Sequence, residues 1–141
     1  MVLIPYLKVE SLEEYLSSVY KTPAKVLRIV PMGGGPDLKG FGYGVPYFVE
    51  FTVSGETRGV VLETMRPEGF GHEHFSDRAG ILLWQHSAFN KLPKHVHSVD
   101  VGAFEADGET LKSVGGCQEF FILTEFIDKG VLYHADLDNI R

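Results

Sequence analysis

VVLETM (60–65), DRAGILLWQHSAF (77–89), VDVGAF (99–104), EADGE (105–109) and EFFILTEF (119–126) follow one another along a single stretch of chain. In that order they predict a strand, a helix, a strand, a hairpin turn and a strand. The strand segments are rich in β-branched and aromatic residues. Asp107-Gly108 is a tight-turn dipeptide. Ser76 stands where an N-cap oxygen belongs, and Phe75 before it supplies one side of a hydrophobic staple. Ala79, Leu82, Leu83 and His86 fall on a common helical face. The helix is expected to end near Asn90, before Pro93. The last strand runs into an acidic, glycine-containing segment, IDKG (127–130).

Upstream, Ser11 and Glu14 have the spacing of a capping box. They predict a helix from Leu12 to about Tyr20, with Leu12, Tyr15, Leu16 and Val19 on one face and Pro23 as the stop. Lys25 to Val30 is a short strand candidate. Six glycines then lie between Met32 and Pro46, at positions 33, 34, 35, 40, 42 and 44. Such a run cannot form a regular element, because glycine loses much backbone entropy there and proline lacks a donor. Tyr47, Val49, Phe51 and Val53 alternate as in a half-buried strand. Ser54 to Thr57 turns the chain, and Arg58 to Met65 returns as the second arm of a hairpin. Tyr133 to Arg141 is expected to begin a helix or an exit arm. The sum is an α+β domain spanning residues 1–141 as one unit. It would hold five mostly antiparallel strands in one sheet, with the 77–89 helix packed on it and a further helix at the N-terminus.

Bulk properties narrow the partners. The chain has 141 residues, 44% of them hydrophobic, which suits one core rather than two. Its net charge is −6 and no basic stripe is visible, so a nucleic-acid partner is not expected. No apolar run is long enough to cross a bilayer, and MVLIPYLKVE lacks the pattern of a secretory signal. The single cysteine, Cys117, excludes an internal disulfide framework and is expected as a small half-buried residue. These features together predict a cytoplasmic protein. Trp84, Phe89, Phe120 and Phe121 are expected in the core.

RGVVLETM, then DRAGILLWQHSAFNKLPKHVHSVDVGAF, then GGCQEFFILTEFIDKG together resemble the N-terminal lobe of the kinase-like aminoglycoside phosphotransferases, a family also similar to choline kinases. The resemblance covers roughly Lys25 to Arg141 and rests on element order and local flavour. It implies ATP, with Mg, bound beneath a glycine-containing hairpin, and adenine paired with backbone groups of Thr124, Glu125, Phe126 and Ile127. Such a lobe normally carries a lysine in its third strand and a glutamate in the following helix to orient it. The corresponding positions here are Glu63 and Arg78, so acid and base have changed places. The resemblance then implies an ion pair between them, with Arg78 as the positive charge near phosphate, since a guanidinium fork suits phosphate oxygens. Gly33, Gly34 and Gly35 would let backbone N–H groups approach the phosphates, although no known phosphate-loop pattern is spelled out. Gly40, Gly42 and Gly44, interleaved with Phe41 and Tyr43, suggest a flap.

The same resemblance implies that catalysis lies elsewhere. His134-Ala135-Asp136 is similar to the start of the family's catalytic loop, but the position five residues after its Asp is Arg141, not the Asn that holds Mg. No residue here replaces the catalytic Asp or the metal-binding Asp and Asn. The chain is therefore expected to be inactive alone, and to meet either a missing C-terminal lobe or another copy of itself through an exposed apolar underside that includes part of FFILTEF. Two other readings differ in class. One is a non-catalytic interaction module. The other is a cupin-like β-barrel metal site drawing on the His72/His74 and His95/His97 pairs, whose members would share a strand face.

Overall fold

The structure is a computed structural model, and it describes residues 6–32, 44–67 and 70–127. Its elements are α1 (Val9–Tyr20), β1 (Ala24–Pro31), β2 (Tyr47–Val53), β3 (Glu56–Leu62), α2 (Phe75–Lys91), β4 (Gly102–Phe104) and β5 (Leu111–Ser113). Helices and antiparallel strands make this an α+β fold. The expected element at 133–141 lies outside the described residues.

The β2–β3 hairpin forms because its turn is Ser54-Gly55, both with positive φ (51° and 77°). Two positive φ values in a two-residue loop match the twist of the flanking strands, and they fix the pair Val53 with Glu56. β1 pairs on the other side of β2, from Ala24 against Val53 to Pro31 against Tyr47, with an irregularity between Val26 and Arg28. Alternation along β2 sends Tyr47, Val49, Phe51 and Val53 to the buried face. On that face lies α1, through Leu12 and Leu16. Tyr20 closes one end, its ring 5.3 Å from that of Phe51.

Helix α1 is also tied to β1 by polar groups. The Glu13 carboxylate accepts from the Val26 amide at 2.8 Å, and the Ser17 hydroxyl accepts from the Ala24 amide at 2.9 Å. Those side chains cover part of an edge strand whose donors would otherwise face open. The helix starts at Val9, earlier than the expected capping box, and its N-cap, Lys8, makes no side-chain cap bond. Ser11 thus lies inside the first turn, where the Lys8 carbonyl already receives the Leu12 amide at 2.9 Å.

The single five-stranded sheet is not formed. The described strands make a three-stranded sheet, β1-β2-β3, and a separate hairpin, β4-β5. Asp107 explains the hairpin's register. Its Oδ1 accepts from the amides of Glu109 and Thr110, each at 2.8 Å, and its Oδ2 accepts from the Thr110 hydroxyl at 2.5 Å. That turn sets Leu111 opposite Phe104, so residues 111–113 are the return arm rather than 119–126. Residues 119–127 are exposed and form no strand. The β3 arm also stops at Leu62, short of Met65.

The helix on the sheet is α1, not the 77–89 helix. α1 packs against β1 on one side and β5 on the other, while α2 makes no comparable packing against any described strand. The run Ile81-Leu82-Leu83-Trp84 spreads its apolar groups round the whole circumference, so no single face is strong enough to dock firmly. In α2 only Arg78 is buried. Trp84 is 69% exposed, Phe120 61% and Phe121 89%, so these three aromatics are not core. Cys117 is also exposed. No helix among the described residues is long and apolar enough to cross a membrane.

Candidate functional site

Antiparallel register brings three chain segments to one end of the sheet. Pro31 pairs with Tyr47, and Tyr47 pairs with Leu62. At that end β1 runs out toward the glycine-rich sequence, β2 begins after it, and β3 leaves toward Glu63. The Met32 amide donates to the Pro46 carbonyl at 2.9 Å, which extends the pairing of the two chains by one step. Gly33, Gly34 and Gly35, like Gly40 and Gly42, lie outside the described residues. Glu63, on the first residue past β3, is exposed.

Gly44 is held at this same end. Its φ is +79°, its amide donates to Thr64 Oγ1 at 3.0 Å, and the side chain of Arg66 lies directly over it. A Cβ on residue 44 would overlap Arg66 Cγ and stand 2.8 Å from its Nε. Only glycine combines that backbone conformation with that closeness. Arg66 is exposed, and none of the four ion pairs among the described residues includes it. Sequence reasoning passed over Arg66. Its signal was faint, namely a cation three residues past Glu63 and the last glycine of the glycine-rich run, just before Val45.

Arg78 lies away from Glu63 in its bonding. Its Nη1 donates to the carbonyls of His72, at 2.6 Å, and Glu73, at 3.1 Å. With the Asp77 and Arg78 amides bonded to the His74 carbonyl, the guanidinium folds the 71–74 turn onto the start of α2. No ion pair joins Glu63 to Arg78. The structure therefore brings Glu63 to the glycine-rich end of the sheet and gives Arg78 a separate duty. Glu125, Phe126 and Ile127 sit together in the exposed segment after residue 119, with no strand partner for their backbone.

A second polar centre joins α1 to the hairpin. The Tyr15 hydroxyl donates to Asp100 Oδ2, and the Ser113 hydroxyl donates to Asp100 Oδ1 at 2.9 Å. Burial, reinforced by the Asp100 hydrogen bond and charge, raises the Tyr15 phenol well above its ordinary value. Gly115 is pressed against Asp100 so closely that a Cβ there would overlap Oδ1. Beyond it, His86 Nδ1 is 2.7 Å from the Ser98 hydroxyl, and that hydroxyl donates to the Asp100 carbonyl at 3.3 Å. Clefts of about 350 Å³ beside Tyr15 and about 490 Å³ beside His86 flank this centre, and neither is lined by any residue expected at the nucleotide site.

The histidine pairs do not assemble a metal set. No group of three or more His, Cys, Asp or Glu side chains comes together among the described residues. His74 is the N-cap of α2 rather than a strand residue, and His95 packs on Phe89 with ring centres 4.5 Å apart. The three-stranded sheet is open, with β1 and β3 at its edges, so the barrel that such a site needs is not formed by these strands. Comparison of the chain with protein-family models, with curated proteins and with solved structures gives no match.

Proposed function

We propose that this chain is the nucleotide-binding lobe of a kinase-like small-molecule phosphotransferase, of the aminoglycoside phosphotransferase type. It would hold ATP with Mg and act together with a second, catalytic segment. The observation that carries the reading is the sheet end at which Pro31, Tyr47 and Leu62 stand side by side. There the glycine-rich connection joins β1 to β2, and β3 delivers Glu63 to the same place. α1 covers only one face of this sheet. The other face presents Phe48, Val30 and Val61, of which Val30 is 37% and Val61 54% exposed. This face also carries the Arg28–Glu50 ion pair, with the Arg28 guanidinium 5.5 Å from the centre of the Phe48 ring, and beside the glycine-rich sequence it would offer a planar base and its phosphates adjacent places. Along the chain the elements run α-β-β-β-α-β-β, and the last six keep the order expected of such a lobe, although β4 and β5 form a sheet of their own.

Isothermal titration of the chain with ATP and Mg tests the proposal. One nucleotide per chain should bind, with no phosphate transferred to an aminoglycoside or to choline. Heats equal to buffer dilution at millimolar nucleotide would remove it.

One observation favours a second reading, an interaction module. Phe121, Ile122, Leu123 and Phe126 are each 87–89% exposed, within seven residues of one another. Contiguous apolar exposure of this kind marks an interaction surface. Sedimentation of the chain across a concentration series distinguishes a self-associating module, which would grow heavier with concentration and be relieved by Phe121→Asp. A strictly monomeric species would count against it.

A further inference from the structure

The proposed lobe lacks the expected lysine on β3, and Glu63 in its place repels phosphate. Something else must then supply positive charge. Arg78 is poorly placed for that duty. It is 7% exposed and its Nη1 is occupied by the carbonyls of His72 and Glu73. Arg66 differs on each point. It is exposed, it enters no ion pair among the described residues, and its stem is held against the backbone of Gly44. Gly44 is in turn fixed by Thr64 Oγ1 at 3.0 Å, where the glycine-rich sequence re-enters the sheet.

We propose that Arg66 is the phosphate-binding cation of this site, and that it takes a nucleoside polyphosphate through the planar fork of its guanidinium. The proposal rests on the nucleotide-lobe reading. Three features support it together. The arginine stem is packed, so less side-chain freedom is lost when the head group engages an anion. Among the described residues the head group has no ion-pair partner, so no such pair has to break. Glu63 lies three residues back along the chain, and a phosphate gripped by the guanidinium is in contact with Arg66 but not with Glu63. Attraction at contact distance outweighs repulsion from farther off, since both fall with separation. Gly44 has a role of its own here. Any side chain at 44 would displace the Arg66 stem and release the head group from its position.

The test is titration of the whole chain with ATP plus Mg and, in parallel, with adenosine. Parent, Arg66→Ala, Arg66→Lys and Arg78→Ala are compared. Loss of a charge-assisted contact to phosphate should weaken ATP binding by Arg66→Ala at least about tenfold. Adenosine affinity should not change, and Arg66→Lys should fall between parent and Arg66→Ala. Circular dichroism checks that the exposed substitution leaves the fold intact. Unaltered ATP binding by Arg66→Ala, with binding lost in Arg78→Ala instead, overturns the assignment while the lobe reading stands. A parent chain that binds adenosine no less tightly than ATP overturns it as well. A parent that binds neither compound overturns the lobe reading together with it.

Discussion

Leu16→Ala and Leu82→Ala form a matched pair that asks which helix the sheet depends on. Leu16 is 3% exposed and packs among Leu12, Val49, Phe51 and Val53. Truncating such a leucine removes its transfer energy and leaves a cavity, which costs about 2–5 kcal/mol. The buried cluster holds only five hydrophobic residues, so few neighbours can move in to fill the space. The loss should sit near the middle of that range. Leu82 is half-buried on α2, a helix with no comparable packing on any described strand. At roughly 0.8 kcal/mol per fully buried methylene, half-burial predicts about 1 kcal/mol for the same truncation. Urea unfolding of a small domain has a slope of about 1–3 kcal/mol per molar. Leu16→Ala should therefore lower the midpoint by roughly 1–2 M, and Leu82→Ala by about 0.5 M. Far-UV circular dichroism is the appropriate signal, because the one tryptophan, Trp84, is already 69% exposed and would change little on unfolding. Equal losses for the two variants, or a larger loss for Leu82→Ala, would show α2 packed on the sheet and refute the assignment of α1 to that place.

Tyr15→Phe should lower stability by about 1.5 kcal/mol, the low end for a hydrogen bond to a charged group, because Asp100 keeps the Ser113 hydroxyl. The same variant should alter the pH profile. The folded state holds the Tyr15 phenol neutral, through burial first and Asp100 second, whereas an unfolded phenol ionises near pH ~10. The stabilisation is therefore complete below that pH and is lost as pH rises above it. Urea midpoints at several alkaline pH values should fall more steeply for the parent than for Tyr15→Phe, and parallel profiles would contradict the assignment. Gly59→Ala places a Cβ 2.6 Å from Phe48 Cε2, on a ring that also lies under the Arg28 guanidinium at 5.5 Å. Overpacking of about 1–3 kcal/mol, offset by the 0.5–1 kcal/mol that alanine gains over glycine in a strand, leaves a net loss of about 1 kcal/mol. A midpoint equal to the parent's would mean that the Phe48 ring swings aside freely.

Legibility from sequence followed the strength of local physics. β2 was readable because four residues alternate without a break, and the β2–β3 hairpin because Ser54-Gly55 is a two-residue loop that tolerates positive φ. The buried face of α1 was readable at Leu12 and Leu16, yet its start was not, because Lys8 begins the helix with no capping side chain. Two expectations failed for a shared reason. EFFILTEF has every local property of a strand, and the 77–89 run has those of a helix that should dock. Local preference can say that a segment suits an element. It cannot say whether a neighbour is free. Asp107 gave the nearer segment, 111–113, to β4, and the apolar groups of α2 point in too many directions to make one seam. At the candidate site, the register of β1, β2 and β3, and not any sequence pattern, puts Glu63 just past the sheet end that leads into the glycine-rich sequence. Arg66 could not be found from such a pattern either, because its van der Waals fit to Gly44 joins positions twenty-two apart in the sequence.

Burial is distributed unevenly, and this bears on what the exposed groups are for. Every buried hydrophobic side chain among the described residues falls between Leu12 and Val53. From residue 70 onward the buried positions are Arg78 and Gly108, while Trp84 and the apolar side chains of 120–127 are open to solvent. In the first part α1 covers one face of the three strands and is itself packed against β5, with Leu111 against the core. The second part leaves apolar surface whose burial would be worth about 25 cal/mol per Å² to whatever covers it. On the interaction-module reading a partner would gain its affinity from 120–127, whereas on the lobe reading phosphate binding would depend on Gly44 and Arg66. A charge placed at Phe121 should weaken association and leave nucleotide binding intact, whereas a change at Arg66 should do the reverse.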